Sequence, residues 1–359
     1  MKGLSKFPIF DMRLLGAIAA VLIALTTLSN SEPVQESVRP RVARGEHGAQ
    51  IASFALSPSN ALIATTNHAG RVTLRAPERE WQIERYMDFP GYATAVAFSP
   101  DGRYLAAVGN PSSICLWDLV AARNEPTKIT LASIQDPLRI IFSSDGQYIA
   151  VTSCLDGTIL LWDLATRRDR MVLHQSSPVV SVAFSPDGRW LATAGRVNRS
   201  IQIWDLQCGS SRSVQEGEPG GGLTLALAFS PDGALLASAG FPEHHVRLWD
   251  LETRRVCREF AGHERTINSV AFSPDGSLLA TAANDGMLGL WTVSTGERLL
   301  SLDCQAGYPR TVAFSPDGRT IALATGNDDD IRLWYLAELP RARPGSNSLP
   351  IGLGPISRQ

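Results

Sequence analysis

The six residues AFSPDG recur five times in this chain, at Ala97–Gly102, Ala183–Gly188, Ala228–Gly233, Ala271–Gly276 and Ala313–Gly318, with weaker copies at Ile141–Gly146 and Ala55–Asn60. The apolar residue inside each copy is Leu56, Phe98, Phe142, Phe184, Phe229, Phe272 or Phe314, in steps of 42, 44, 42, 45, 43 and 42 residues. A second series, Arg75, Trp117, Trp162, Trp204, Trp249, Trp291 and Trp334, runs in steps of 42, 45, 42, 45, 42 and 43. Two independent markers therefore hold one phase through seven units. Ser269–Val293 displays one unit: three short apolar runs separated by Ser273-Pro274-Asp275-Gly276 and Asn284-Asp285-Gly286. Proline presets φ for a turn, aspartate accepts the local backbone N–H, and glycine follows in the left-handed region, so each run is a strand and each separator a tight turn.

Three strands alone leave too much apolar surface in water, and such units stack on copies of themselves. A fourth, outer strand fits between one unit and the next, as at Arg254–Phe260 and Arg298–Leu302. Repeats of this length with four strands and a terminal Trp-Asp read as propeller blades. On Trp117-Asp118, Trp162-Asp163, Trp204-Asp205 and Trp249-Asp250, with Trp291-Thr292 and Trp334-Tyr335 as variants, the chain resembles the WD-repeat β-propeller family from Arg44 to Leu336. The expected fold class is all-β, a seven-bladed β-propeller preceded by an N-terminal apolar helix. The expected divisions are an anchor or signal over 1–31, a linker over 32–44, the propeller over 45–338 and a disordered tail over 339–359. Blade seven ends at its third strand, so its outer strand is expected from the segment Val34–Gly45, which would close the ring and cover an open edge.

The first 28 residues stand apart. Lys2, Lys6 and Arg13 precede the uncharged Leu14–Leu28. Those 15 residues reach about 22 Å as a helix, short of a ~30 Å hydrocarbon core, a length that suits a secretory signal or an anchor in a thinned bilayer. The flanking positive charge predicts the propeller outside the cytoplasm, membrane-anchored or secreted, with a cytoplasmic protein as the alternative. Charged residues are 19% of the chain and net charge is −2, which excludes a nucleic-acid footprint. Five dispersed cysteines, Cys115, Cys154, Cys208, Cys257 and Cys304, read as small buried hydrophobes.

The resemblance implies a structural tetrad in blade six: His263, Thr281, Asp285 and Trp291, whose spacing matches a hydrogen-bonded set tying loop to strand. Blade three keeps Thr152, Asp156 and Trp162 but has Ile134 at the histidine position, and blades two, four, five and seven lack the set at these offsets. His244-His245 is read as an exposed loop, Asp328-Asp329-Asp330 as an acidic loop and Gly220–Gly222 as a flexible connection. Neither a metal nor a cofactor is expected, and no nucleophile-elbow, zincin or dinucleotide motif occurs. The expected function is a non-catalytic scaffold for a protein or peptide partner; the alternative is an enzyme with its site at the central channel. The partner is expected on the face carrying the second-to-third-strand loops and the loops that enter each blade. The contact residues would be Arg196, Asn198, Arg199, Phe241, His244, His245, Asp328, Asp329 and Asp330, where the chain departs most from its own repeat.

Overall fold

The computed structural model describes residues 39–43, 51–59, 61–79, 81–121, 125–197, 199–215, 222–305, 307–326 and 330–339. Among them the strands form seven four-stranded antiparallel sheets, one per blade. In blade six, Ile267–Phe272, Leu278–Ala283, Met287–Thr292 and Arg298–Asp303 pair in chain order. First strands touch the first strands of neighbouring blades, so they surround the ring axis.

Every first strand carries a β-bulge at one place. The ladder to the second strand skips Ala52, Thr94, Leu138, Val180, Leu225, Asn268 and Arg310 in blades one to seven. A bulge bends its strand and re-aims one side chain. Three of these side chains are polar or charged: Thr94 Oγ1 donates to Pro137 O of blade three at 2.8 Å, Asn268 Nδ2 donates to Pro309 O of blade seven at 2.7 Å, and Arg310 is exposed.

The core lies between blades. Phe260 and Val246 of blade five pack with Ile267, Leu279 and Trp291 of blade six, and Val72 and Met87 of blade one with Val96 and Trp117 of blade two. The Ser-Pro-Asp-Gly turns interlock as well. A methyl group on Gly276 would stand 3.4 Å from Pro231 Cδ of the preceding blade, and one on Gly318 3.4 Å from Pro274 Cδ. Blade three has Ser144 in place of that proline, and the Ser144 hydroxyl donates to Ser185 O of blade four at 2.9 Å, so the link is kept by other means. Within the turn of blade two, Ser99 Oγ donates to Asp101 at 2.5 Å and Asp101 accepts the Arg103 N–H at 3.0 Å. The Ser99 bond, then the Arg103 bond, hold the Asp101 carboxyl below its ordinary range.

Blade seven takes its outer strand from Arg41–Ala43, inside the 34–45 segment: Arg41 faces Leu333, Val42 faces Arg332 and Ala43 faces Ile331. Arg41 Nη2 also meets Glu338 Oε1 at 2.9 Å, and its guanidinium lies 4.5 Å from the centroid of the Tyr335 ring.

Two expectations need correction. Cys115 and Cys304 are buried, and burial pushes their thiols up to about 11 and about 12, but Cys208 and Cys257 are exposed because they fall in a turn and on an outer strand that no further blade layer covers. Leu339, which opens the expected tail, is also buried and its N–H reaches Leu336 O at 3.3 Å, so it packs with the last blade. Among the described residues no helix is long and apolar enough to cross a membrane. The apolar helix expected over 14–28 and the rest of the tail lie outside the described residues.

Candidate functional site

Chain direction puts the starts of first strands and the ends of second strands on one face of the ring. Large apolar side chains gather there. Tyr92 opens the first strand of blade two and Tyr308 precedes that of blade seven. Leu155, Val197 and Phe241 sit at the second-to-third-strand turns of blades three, four and five. Their exposures run from 42% to 54%. Other exposed large apolar residues, such as Tyr86, Val172 and Val256, lie on outer strands at the rim. An apolar set raised on rigid blade ends and surrounded by polar loops is the composition of a protein-binding surface.

A charged cluster stands at the corner between blades four and five. Glu243 pairs with Arg199 of the neighbouring blade and, at 2.5 Å, with Arg247. Arg247 Nε lies 3.5 Å from Glu259, and His245 Nε2 lies 3.5 Å from Glu243 and 3.7 Å from Glu259. The recess lined by Arg199, Thr224, Ser238, Glu243 and Arg247 holds about 10 Å³, room for one water molecule. This cluster joins two blades. The expected contact residues thus divide. Arg196, Phe241 and His244 are exposed. Arg199 is not available, because its side chain is only 13% exposed and Glu243 engages it. His245 is not in a loop, since it opens the strand His245–Asp250 opposite Ala261. Asp330 lies 4.0 Å from Arg332, and Asn198, Asp328 and Asp329 lie outside the described residues.

In blade six the four spaced residues meet. His263 Nδ1 lies 2.7 Å from Asp285 Oδ2 and its Nε2 2.7 Å from Thr281 Oγ1, while Trp291 Nε1 donates to Thr281 Oγ1 at 2.8 Å. With Nδ1 protonated, His263 donates to the carboxylate, accepts the Thr281 hydroxyl proton, and Thr281 accepts from Trp291. A side chain at Gly289 would fall 2.6 Å from Thr281 Oγ1 and 2.7 Å from Trp291 Nε1, so the set needs a glycine there. Burial raises the Asp285 carboxyl, but the His263 hydrogen bond and charge and the N–H groups of Met287 and Glu264 outweigh it, and the net shift is downward.

Other blades hold fragments that the spacing rule missed. In blade four, Thr193 Oγ1 donates to Gln175 Oε1 at 2.5 Å and accepts Trp204 Nε1 at 2.9 Å. Gln175 precedes Thr193 by 18 residues, as His263 precedes Thr281. In blade five, Trp249 Nε1 donates to Ser238 Oγ at 2.8 Å. Blade three is corrected in the other direction. Its turn is one residue longer, so Val151 faces Leu160 where Thr281 faces Gly289 in blade six. Strand side chains alternate, so one inserted residue sends Thr152 to the opposite face, and its buried hydroxyl has no hydrogen-bond partner. In blade two the equivalent position is Ala107, and the Trp117 indole N–H is left without an acceptor.

The family model described as "WD domain, G-beta repeat" matches the chain at residues 85–118, 132–163, 169–205, 213–250, 254–292 and 296–335. Blade one, which has Arg75 in place of tryptophan, receives no match over its first three strands. The chain is similar to a protein named "Protein LST8 homolog" from Drosophila melanogaster, 30% identical over 119 residues, 32% of this chain and 38% of the relative. The Drosophila pseudoobscura pseudoobscura protein of that name is 40% identical over 73 residues, 19% of this chain and 23% of the relative. "Target of rapamycin complex subunit wat1" from Schizosaccharomyces pombe is 32% identical over 84 residues, 23% of this chain and 26% of the relative. The chain thus spans between 23% and 38% of the length of these curated relatives.

Proposed function

The chain belongs to the WD-repeat β-propeller family, and on that premise we propose that it is a non-catalytic scaffold that binds a protein or peptide partner through one face of its ring. The observation that carries this is the set Tyr92, Leu155, Val197, Phe241 and Tyr308, spread over five blades on a single face. Arg196 and His244 stand beside Val197 and Phe241 and supply polar contacts around the apolar anchors. The acidic run Asp328-Asp329-Asp330, of which Asp330 alone lies among the described residues, would fix the partner's orientation. The relative from Schizosaccharomyces pombe is named as a complex subunit, which agrees with an assembly role and makes another subunit of such a complex the first partner to try.

The enzyme reading requires acid, base or metal groups converging on the channel. The hydroxyls that first strands bring there are engaged instead with neighbouring blades: Ser181 Oγ accepts Leu227 N–H at 3.0 Å and Ser269 Oγ accepts Val312 N–H at 3.1 Å. We also propose that Leu14–Leu28 directs the chain to or across a membrane, on the strength of its uncharged run behind Lys2, Lys6 and Arg13. Fractionation with protease protection tests this, and a soluble, untruncated protein shielded inside the cytoplasm overturns it.

Affinity purification of the tagged full-length chain, wild type beside Phe241→Ser/Tyr308→Ser, tests the face assignment. A partner retained by the wild type and lost by the double variant at an unchanged Tm is the expected result. A partner held equally by both overturns it.

A further inference from the structure

On the apolar face, blades two and three meet in a corner built from residues 89–92, 110–113, 131–137 and 153–158, all among the described residues. Tyr92, 42% exposed, opens the first strand of blade two opposite Asn110, which ends the second strand. Asn110 Nδ2 reaches the Tyr92 hydroxyl at 3.3 Å and Asp136 Oδ1 of blade three at 3.4 Å. The Asp136 carbonyl accepts the Cys154 N–H at 3.2 Å, which sets its loop against the turn carrying Leu155, 54% exposed, and the exposed Asp156. A line of contacts thus runs from an aromatic ring, through an amide and a carboxylate, to the turn that raises an apolar side chain and a second carboxylate.

The charge in this corner has one sign. Its loops contain two carboxylates, Asp136 and Asp156, and no lysine, arginine or histidine. Among the described residues neither carboxylate forms an ion pair. Asp136 takes the neutral Asn110 amide, and Asp156 Oδ1 takes the Thr158 N–H at 3.0 Å. A carboxylate has about four acceptor sites, so both keep acceptors open. The surrounding cations have other places. Arg139 donates Nε to Val180 O of blade four at 3.3 Å, His174 ends the outer strand of blade three, and His68 and Arg196 belong to the flanking blades.

Resting on the reading of this face as a partner surface, we propose that the corner of blades two and three receives a basic segment of the partner protein, a lysine or arginine beside an apolar residue. The cation would take the Asp136 carboxylate and the Tyr92 ring, an acceptor and a π face tied together by Asn110. Leu155 would cover the apolar neighbour. Asp156 adds attraction that draws positive segments to this side of the ring. Open carboxylates beside exposed apolar surface repel nucleic acid and anionic lipid, so charge complementarity selects a basic peptide.

Selection of a random peptide library on the immobilised full-length protein tests this, followed by fluorescence anisotropy with the enriched peptides. Sequences that pair lysine or arginine with an apolar residue are expected, and their binding should weaken as salt rises from about 50 to about 500 mM. Asp136→Asn/Asp156→Asn keeps the shape of both side chains, and asparagine tolerates the φ of 44° at position 136. It should lower affinity about tenfold or more. Tyr92→Leu, which keeps apolar surface without a π face, should lower it about two- to fivefold. Glu125→Gln/Glu252→Gln removes equal charge from exposed third-to-outer-strand connections on the opposite face and should bind as wild type. Enriched peptides that are acidic or uncharged would overturn the basic segment and leave the scaffold reading standing. Basic peptides held at wild-type affinity by the double aspartate variant would overturn the corner. A library that yields no binder would overturn both readings.

Discussion

Gln175 stands in blade four where His263 stands in blade six: its Oε1 takes the Thr193 hydroxyl proton at 2.5 Å, and Thr193 in turn accepts the Trp204 indole N–H. The amide does the inner half of the imidazole's work. Its Nε2 turns to Ser200 Oγ at 3.3 Å rather than to a turn carboxylate. Gln175→Leu keeps the volume and strands a buried hydroxyl, so it should destabilise by about 1–3 kcal/mol. Urea unfolding would show this as a lower midpoint with an unchanged slope.

Blade two invites the opposite experiment. The Trp117 indole N–H is buried without an acceptor because residue 107 is alanine, whereas Ser238 serves Trp249 from the equivalent place in blade five. Ala107→Ser should stabilise the protein by about 0.5–1.5 kcal/mol. A fall in Tm would mean that the hydroxyl does not reach the indole.

The Asp285 carboxyl lies below its ordinary range in the folded chain. A depressed folded pKa gives stability that is present above the unfolded value and is lost as pH falls through the folded one. Asp285→Asn should therefore be less stable than wild type near neutrality. The gap should narrow as pH drops below the ordinary carboxylate range, about 4. Asp101, Asp232, Asp275 and Asp317 are lowered in the same direction by their turn hydrogen bonds, so the whole ring should lose stability over that acid window. A gap between wild type and variant that is constant with pH excludes the His263–Asp285 contact as its source.

Deleting residues 34–45 removes the outer strand of blade seven and should lower Tm far more than deleting 344–359. The edge uncovered runs from Ile331 to Leu333 beside a buried sheet. Equal shifts from the two deletions would contradict the pairing.

The blade phase was legible because Phe and Trp mark two different strands, and both must lie in the core between blades for a ring to close. The tetrad was legible for the same reason, since a hydrogen-bonded set on adjacent strands forces constant offsets. Thr152 was misread because counting from Asp156 ignores the extra turn residue, while counting from Phe142 would have selected Val151. Gln175 carried a readable signal in its 18-residue offset from Thr193, hidden only by the expectation of histidine. The Arg199–Glu243 pair joins residues 44 apart on different blades, and no local pattern announces it. Tyr92 and Tyr308 look like ordinary strand-flanking aromatics until the ring shows that they share a face.

The closing strand has a mechanical meaning. Any tension applied to the chain ahead of Arg39 reaches the ring through three residue pairs, Arg41–Leu333, Val42–Arg332 and Ala43–Ile331. Every other blade joins its outer strand to its own third strand through a short connection, so a pull on it is shared with its covalent neighbours. Blade seven alone is fastened by a strand from the opposite end of the polypeptide. Load would part this short ladder before it disturbed any of the remaining blades, which makes Arg41–Ala43 the fuse of the ring: the first contact to yield under force and the one whose strength sets how hard the protein can be pulled.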